Sequence, residues 1–314
     1  MPAVSVIVPV YNSEAFLNKC LDCLTSQTLS DLEIICVDDA STDGSPEILK
    51  RRARLDSRIR LIALDENRGP SAARNAALDA ATGLYAGFVD SDDFVDPDFF
   101  EKLYTLAIIQ DADVAKGSLM NYDPVKGAAY LKEIFNINDR IRKHKAWFFL
   151  TYTSAIYRTE MLRAAGIRFD ENLRFFEDPH FSINAAFHYD KIAVRDDAVY
   201  YYTDNPSSAT RKNYSLQPVT DLISGANDIL DKMDALDIRG KHYSIVFAFL
   251  MDQFIGWFQK YYASDQVTAA ASAGFCGILD RCRDLEACMS EYVFFKKESD
   301  RKNLIRQLKR DLHG

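Results

Sequence analysis

The sequence predicts an open, mainly parallel α/β sheet over its first two thirds and an all-helical region after it. Short apolar segments alternate with amphipathic segments there, which is the pattern of a parallel sheet covered by helices on both faces. Four of the predicted strands also end in polar, largely acidic residues. Residues 216–314, in contrast, lack strand-like alternation and carry apolar residues at helical spacing.

Five apolar runs of strand length divide the first 115 residues, and helix signals fill the intervals between them. Ser13 precedes the first helix, Pro46 stands in the first turn of the second, and Asp96-Pro97 precedes the fourth. The third helix is predicted over Ser71–Ala81, after the turn residues Asn67–Pro70. The predicted strands are Ala3–Val8, Leu32–Val37, Ile59–Ala63, Tyr85–Val89 and Ala112–Ala115.

The pattern is less regular in the next hundred residues. Residues 116–150 show no clean periodicity and are predicted to form a connection. Ser154–Arg158 is predicted as a strand, and Thr159 begins a short helix. Two further strands are predicted at Lys191–Val194 and Ala198–Tyr202.

A run of acidic residues follows the strand Tyr85–Val89. Asp90, Asp92 and Asp93 crowd the point where that strand ends, and carboxylates at this spacing repel one another unless a positive group lies between them. Because ligands in open α/β sheets bind outside the carboxyl ends of the strands, the run predicts a site for a ligand or a metal ion. Taken alone, the same run is equally compatible with a solvated acidic turn that caps a helix.

Four segments follow one another in a fixed order along the first 115 residues, and together they identify a family. They read VSVIVPVYN, VDDASTDGS, NRGPSAARNAAL and GFVDSDD. They resemble the nucleotide-sugar-binding half of family 2 glycosyltransferases, which have the GT-A fold. A fifth segment, Phe176-Glu177-Asp178, resembles the acidic pair that family members use near the acceptor. The resemblance implies a GT-A domain over residues 1–215, with a donor half over about 1–115 and an acceptor half over about 116–215, followed by the helical region 216–314.

The resemblance also implies roles for the donor-side residues. Asp92 would ligate a divalent cation, Mn²⁺ or Mg²⁺, while Asp90 would hold the ribose of the donor or the water shell of the cation. Hard carboxylate oxygens suit such ions, which bind mainly through substrate phosphates and need few protein ligands. The other implied donor-binding residues are Pro9 and Tyr11 beside the base, Asp39 on a base N–H, Arg68 and Arg74 near base or phosphate, and Ser91. A plain turn at Pro9 and Tyr11 and a surface ion pair at Arg74 remain the alternatives.

The segment at Glu177-Asp178 is predicted to provide the catalytic base. Pro179 suits the first position of a helix, so Asp178 would be its N-cap. The helix N-terminus and a nearby cation would favour the ionised carboxylate that a general base needs. We therefore expect Asp178, with Glu177 as the competing candidate, to take the proton of an acceptor hydroxyl, with the inverted product that the resemblance implies. The alternative is that Asp178 only caps the helix.

A polar loop, Pro206–Arg211, follows the last predicted strand. In related enzymes a loop at this point folds over the donor, so Arg211 is expected to contact the diphosphate. An ordinary exposed arginine is the alternative.

These residues predict a metal-dependent inverting glycosyltransferase. It would move a hexosyl or N-acetylhexosaminyl group from a nucleotide-diphospho-sugar to a glycan, polymer or lipid-linked acceptor in cell-surface polysaccharide synthesis. The family resemblance, together with Asp39, favours UDP as the nucleotide. The Gln-x-x-Arg-Trp pattern of processive synthases is absent, which favours single or few transfers. Two alternatives are a non-catalytic nucleotide-sugar-binding or scaffold protein and a nucleotidyltransferase of related fold.

The charge and the apolar segments of the chain limit the kinds of partner and the location that we expect. The formal net charge of −8 argues against a nucleic-acid-binding protein, which needs a basic face. Because no signal peptide or membrane-spanning segment is predicted, we expect a cytoplasmic protein or one that is peripheral at the inner face of the cell membrane. Two roles are possible for the aromatic helix predicted at Tyr243–Tyr262 and for the basic amphipathic tail Phe294–His313. They would contact an anionic membrane surface, or they would dock on protein, including a second subunit.

Overall fold

The computed structural model describes residues 1–130, 151–205 and 217–238, together with scattered positions between 243 and 281. The chain divides into two compact units. One comprises Met1–Glu171 and Glu177–Lys212, and the other comprises Asn172–Phe176 and Asn213–Gly314. The division into a donor half, an acceptor half and a helical region is a division by function, and it stays a prediction.

The described strands of the first unit form one sheet. They are β1 Val4–Val10, β2 Leu32–Asp38, β3 Ile59–Ala63, β4 Tyr85–Phe88, β5 Phe94–Val95, β6 Val114–Asp123, β7 Ala128–Tyr130, β8 Ala155–Arg158 and β9 Ile192–Thr203. Their order in the sheet is β3-β2-β1-β4-β8-β6-β9-β5, and β7 pairs with β6. The first four strands in this order are parallel, as are β6 and β9, whereas β8 runs antiparallel to both of its neighbours. The central sheet is therefore mainly parallel, as predicted.

Strands β1, β2 and β4 are buried along their whole length, which explains why their sequences are continuous apolar runs. Their register sets Val10 beside Asp38 and Ile7 beside Phe88. The residues that follow these three strands therefore meet at one edge of the sheet, which we call the carboxyl edge.

Helices cover both faces of this sheet. They are α1 Glu14–Thr25, α2 Ser45–Leu55, α3 Pro70–Ala80, α4 Phe99–Gln110, α5 Thr159–Ala164 and α6 Glu177–Ala186. One cluster of buried apolar side chains includes Leu21 of α1 and Phe100 of α4, and a second includes Ala73 of α3 and Phe181 of α6. The amphipathic helices predicted from the sequence thus supply the apolar side chains that bury the sheet.

Strands β6 and β9 are longer than the sequence predicts. Residues 116–123 belong to β6, so the prediction that they form a connection is wrong. Strand β9 unites two segments that were predicted as separate strands. They are continuous across a bulge, where the pairing of β6 with β9 shifts register between Lys116 and Ser118. Gly117 lies at this shift, where a Cβ would collide with the backbone carbonyl of Ala198.

The antiparallel direction of β8 brings residues of the predicted acceptor half to the carboxyl edge. Gly87 of β4 pairs with Ile156 of β8. The residues that precede β8, Thr151–Ser154, therefore lie next to the end of β4, where the acidic run Asp90–Asp93 begins. We call them the 151–154 segment.

The second unit contains α7, Gln217–Ala235, with an apolar side that includes Leu222, Ile229 and Met233. Asp221 of α7 accepts hydrogen bonds from the backbone N–H groups of Arg174 and Phe175, at 2.8 and 3.0 Å. The predicted tail helix Phe294–His313 and most of Tyr243–Tyr262 lie outside the described residues. Within the part of the chain that the structure describes, no helix is both long and apolar enough to cross a bilayer.

Candidate active site

The polar residues predicted as donor-binding follow β1, β2 and β4 and lie at the carboxyl edge. Tyr11, directly after β1, is about half exposed, at 49%. Asn12 and Ala40 both have positive φ angles, 48° and 55°, which are uncommon for residues with a Cβ. Asn12 joins the two loops, since its Oδ1 accepts the backbone N–H of Thr42 at 2.8 Å. The loops after β1 and β2 are thus fixed to each other, with the Tyr11 ring accessible.

Asp39 is buried and holds the loop that leads into α3. Its Oδ1 accepts the backbone N–H of Arg68 and its Oδ2 accepts that of Gly69, both at 2.8 Å. Burial raises the pKa of Asp39, although these two hydrogen bonds oppose the change. Each carboxylate oxygen retains a second lone pair, so contact with a base N–H remains compatible with this geometry. The side chain of Arg68 is half exposed and pairs with Glu171 at 2.8 Å.

Arg74 is a buried residue of the site, so the alternative prediction, that it forms a surface ion pair, is wrong. It is 5% exposed, and its Nη2 donates to Asp90 Oδ1 at 2.9 Å and to the Tyr152 hydroxyl at 2.6 Å. Its Nη1 lies 3.6 Å from Asp178 Oδ1 and 3.9 Å from Glu177 Oε1. Burial alone would lower the pKa of Arg74, but Tyr152 and the three carboxylates hold it well above its usual value. One guanidinium therefore lies between the acidic run of β4 and the acidic pair of α6.

The acidic run that follows β4 is a tight turn tied to β9. Asp93 is buried and accepts the Tyr200 hydroxyl at 2.7 Å and the Thr203 backbone N–H at 2.8 Å. Asp92 accepts the side-chain amide of Asn205 at 2.9 Å. Burial, followed by the neighbouring aspartates, raises the pKa of Asp93 well above its ordinary value. Asp93 therefore anchors the turn, whereas Asp92 and Asp90 are only partly buried.

Two further predicted residues, Pro9 and Ser91, lie in this region and are buried. Pro9 is the penultimate residue of β1 and is buried. The hydroxyl of Ser91 lies 2.6 Å from that of Ser13, which also donates to the Tyr11 carbonyl at 3.1 Å. Ser91 therefore connects the acidic turn to the loop after β1, and the Ser13 side chain makes this contact instead of capping α1.

Helix α6 begins at Glu177, two residues earlier than predicted, so Asp178 lies inside the first turn and is not the N-cap. The Asp178 side chain is 45% exposed, yet its Oδ1 is buried and makes no hydrogen bond. Burial and the adjacent Glu177 raise the pKa of Asp178 well above its ordinary value, while Arg74 opposes the change. In the protein without a cation, burial and Glu177 thus outweigh Arg74. The expectation that a nearby cation favours the ionised form stays a prediction.

Three residues of the site escaped the sequence analysis: Tyr152, Tyr200 and Asn205. Tyr152 precedes β8, Tyr200 lies in β9 and Asn205 follows β9, and each contacts the acidic turn although it is distant from it in the chain. Nothing in their local sequence distinguishes them from other tyrosines or loop asparagines. Arg211 lies outside the described residues.

The acidic turn has the chemistry of a partial site for a hard cation. Among the residues that the structure describes, no cluster of three His, Cys, Asp or Glu side chains forms a complete metal site. Burial raises the pKa of Asp92, and the charge of Asp90 raises it further. A divalent cation would relieve that repulsion, and ions such as Mg²⁺ need only one or two carboxylates when substrate phosphates complete the shell.

Comparisons with known proteins agree with this arrangement. A family model described as Glycosyl transferase family 2 matches residues 5–166, just over half of the chain. EpsJ of Bacillus subtilis (strain 168), described as an uncharacterized glycosyltransferase, is 36% identical over 224 residues, which are 68% of this chain and 64% of EpsJ. The chain thus spans less than two thirds of the length of EpsJ.

The TarS protein of Staphylococcus aureus (strain Mu50), a poly(ribitol-phosphate) beta-N-acetylglucosaminyltransferase, is 32% identical over 213 residues, which are 64% of this chain and 35% of TarS. The crystal structure of TarS 1–349 in complex with UDP-GlcNAc matches with a TM-score of 0.81 at 22% identity, over 99% of this chain and 88% of that chain. The mannosyltransferase PcManGT from Pyrobaculum calidifontis, in complex with GDP-Man and Mn²⁺, matches with a TM-score of 0.57 at 19% identity, over 99% and 87%.

At these identities the structural matches establish the fold, and they confirm the predicted α/β architecture of GT-A type. The family model, in turn, covers the four donor-side motifs from Ser5 onward. The chain therefore belongs to glycosyltransferase family 2, the family that its motifs resemble.

Proposed function

We propose that this chain transfers a hexosyl or N-acetylhexosaminyl group from a nucleotide-diphospho-sugar to the hydroxyl of a glycan, polymer or lipid-linked acceptor, with inversion. The observation that carries the proposal is the position of Arg74. Its guanidinium is within 4 Å of Asp90, at the end of β4, and of both acidic residues at the start of α6. A donor site at Asp90–Asp92 and a base at Asp178 would thus be parts of one site.

UDP is the proposed nucleotide and Mn²⁺ or Mg²⁺ the proposed cation. The TarS structure contains UDP-GlcNAc, and PcManGT was solved with GDP-Man and Mn²⁺. Asp92 would hold the cation, with Asp90 on its water shell or on the ribose. When bound, the cation would act as a Lewis acid on the departing diphosphate. Pro9, Tyr11, Asp39 and the loop of Arg68 would enclose the nucleoside.

Asp178 is the proposed general base. Its partly exposed carboxylate can meet an acceptor hydroxyl, and a raised pKa makes it a stronger base once it is ionised. Asp178 would take the hydroxyl proton as the acceptor oxygen forms its bond to the anomeric carbon. The bond from that carbon to the diphosphate oxygen breaks, and the nucleoside diphosphate leaves with the electron pair.

The acceptor is proposed by class only. TarS is named for a poly(ribitol-phosphate) acceptor, so a phosphate-bearing polymer is a reasonable first substrate to assay. A role in cell-surface polysaccharide synthesis, at the cytoplasm or the inner membrane face, stays a prediction. Arg211, as a contact to the diphosphate, also stays a prediction.

The first experiment measures UDP release from UDP-GlcNAc and UDP-glucose, and GDP release from GDP-mannose, each with Mn²⁺. We expect slow hydrolysis of a UDP-sugar that stops when EDTA is added. Binding without turnover, with and without acceptor polymers, would favour a non-catalytic nucleotide-sugar-binding protein. If no nucleotide-sugar binds, the proposal is wrong.

The second experiment assigns the base. We expect Asp178→Asn to lower the transfer rate by about 10²- to 10⁴-fold, the usual contribution of a general base. Asp190→Asn, which changes an exposed aspartate just before β9, is the matched control and should leave the rate unchanged. Near-normal transfer by Asp178→Asn, together with inactivity of Glu177→Gln, would assign the base to Glu177 instead.

A further inference from the structure

The 151–154 segment contributes a buried tyrosine to the acidic turn. The Tyr152 hydroxyl donates to Asp90 Oδ2 at 2.5 Å and accepts from Arg74 Nη2 at 2.6 Å. The same Nη2 donates to Asp90 Oδ1 at 2.9 Å. The three side chains thus form a closed ring of hydrogen bonds in which both oxygens of Asp90 are held.

Tyr152 itself is held rigidly. Its ring packs edge-on against Phe88 and Phe169, with centroids 5.7 and 5.3 Å away. The Arg74 guanidinium carbon lies 4.5 Å from the centre of the Tyr152 ring. Burial raises the pKa of Tyr152 well above its ordinary value, so its hydroxyl keeps its proton at neutral pH. The hydroxyl is therefore a fixed donor toward Asp90.

Lys116 of β6 fixes the backbone on both sides of this tyrosine. Its buried amino group donates to the Thr151 hydroxyl at 3.2 Å, to the Thr153 carbonyl at 3.3 Å and to the Ser154 hydroxyl. Ser154 has a φ of 53° and accepts the Gly117 backbone N–H at 2.7 Å. A lysine buried in this way positions the 151–154 segment and, with it, the Tyr152 hydroxyl.

We propose that Tyr152 is a positioning residue for the donor site, because its hydroxyl fixes the orientation of the Asp90 carboxylate. Asp90 is only partly buried, and without this hydroxyl its Oδ2 loses the donor that prevents rotation. Asp90 then keeps only the contact of its Oδ1 to Arg74. This inference rests on the proposed function, since it assumes that Asp90 contacts the ribose or the cation shell of a bound nucleotide.

Tyr157 supplies a matched control. It is also a buried tyrosine packed against Phe88, at 6.1 Å between centroids, but its hydroxyl makes no hydrogen bond. Tyr152→Phe and Tyr157→Phe therefore remove the same atom from the same core, and only the first breaks a contact to the site.

The experiment titrates UDP into each protein by calorimetry in the presence of Mn²⁺. We expect Tyr152→Phe to weaken UDP binding about tenfold, which is typical of a lost hydrogen bond to a charged group. Tyr157→Phe should bind within twofold of the wild type. Equal affinities for the two variants would overturn the proposal. If the wild type itself binds no UDP, the proposed function fails as well, so the two failures are distinguishable.

A double-mutant cycle separates positioning from a general loss of stability. In an Asp90→Ala background, Tyr152→Phe should change UDP affinity less than twofold, because the carboxylate through which it acts is absent. An undiminished loss in that background would show that Tyr152 acts elsewhere and would contradict the proposal. This measurement needs no catalytic activity from the Asp90→Ala protein.

Discussion

At the residue scale, Arg74 links the two chemical halves of the candidate site. It is almost fully buried, yet it is surrounded by Asp90, Glu177, Asp178 and the Tyr152 hydroxyl. A buried guanidinium requires such partners, since an unpaired charge in the interior is costly. Its Nε and Nη1 make no hydrogen bond, so Nη1 faces the acidic pair of α6 through charge alone. We therefore expect any change of charge in the site to change the pKa of the base candidate Asp178.

The pH dependence of transfer tests this electrostatic coupling. Burial and Glu177 raise the pKa of Asp178, so a base at this position loses activity at a higher pH than an ordinary aspartate would. Glu177→Gln removes one of the charges that raise this pKa. We expect the acid limb of the kcat/KM profile to move to lower pH, by roughly half a unit or more. An unchanged or higher midpoint in Glu177→Gln would contradict the coupling.

At the element scale, the site is built by strands from both predicted halves. Parallel strands β1, β2 and β4 bring their carboxyl ends to one edge, which is what the sequence motifs predict. The acidic turn is then held by Tyr200, Thr203 and Asn205, in or after β9, and by Tyr152 before β8. The acidic turn therefore depends on strands of the predicted acceptor half for its rigidity.

The opposite edge of the sheet depends on a buried carboxylate in β2. Glu33 accepts the Ser5 hydroxyl and the Thr82 backbone N–H, both at 2.5 Å, and pairs with Arg60 at 2.7 Å. Burial alone would raise its pKa, but these hydrogen bonds lower it overall. We expect Glu33→Gln to reduce the free energy of unfolding at pH 7 by about 1–3 kcal/mol.

Because the folded pKa of Glu33 is depressed, its stabilising contribution is present above the unfolded pKa and is lost as pH falls through the folded pKa. The difference in the free energy of unfolding between wild type and Glu33→Gln, measured by urea unfolding, should therefore decrease below about pH 4. Glu47→Gln, at an exposed position of α2, is the control and should match the wild type. Equal stability of Glu33→Gln and wild type at pH 7 would show that this carboxylate does not stabilise the sheet edge.

At the scale of the whole molecule, the sequence predicts the parallel half of the fold well, because strands buried on both faces must be continuously apolar. Strand β3, Ile59–Ala63, has the predicted bounds. The long strands β6 and β9 were missed in part. Between Lys116 and Ser118 of β6 the paired residues of β9 jump from Val194 to Val199, and this bulge in β9 interrupts the period on which a strand prediction depends. Long-range pairing across that bulge has no local signature.

The same limit applies to the site. Motif residues such as Asp39, Asp90 and Asp92 can be recognised from their place at strand ends. The burial of Arg74 cannot be recognised from the sequence, because its partners Tyr152 and Asp178 are 78 and about a hundred residues away in the chain. The raised pKa of Asp178 is likewise a consequence of packing, which overrides the helix-terminus argument available from sequence.

The central claim is that the acidic turn after β4 is a metal-dependent donor site. The most direct measurement is Mn²⁺-dependent release of UDP from UDP-GlcNAc by wild type, Asp92→Asn and the control Asp190→Asn. We expect Asp190→Asn to behave as the wild type, with activity abolished by EDTA and restored by Mn²⁺. Asp92→Asn should lose at least about a hundredfold in rate, as expected when a ligand of a catalytic cation is removed. Full activity of Asp92→Asn, or activity of the wild type that survives EDTA, would contradict the claim.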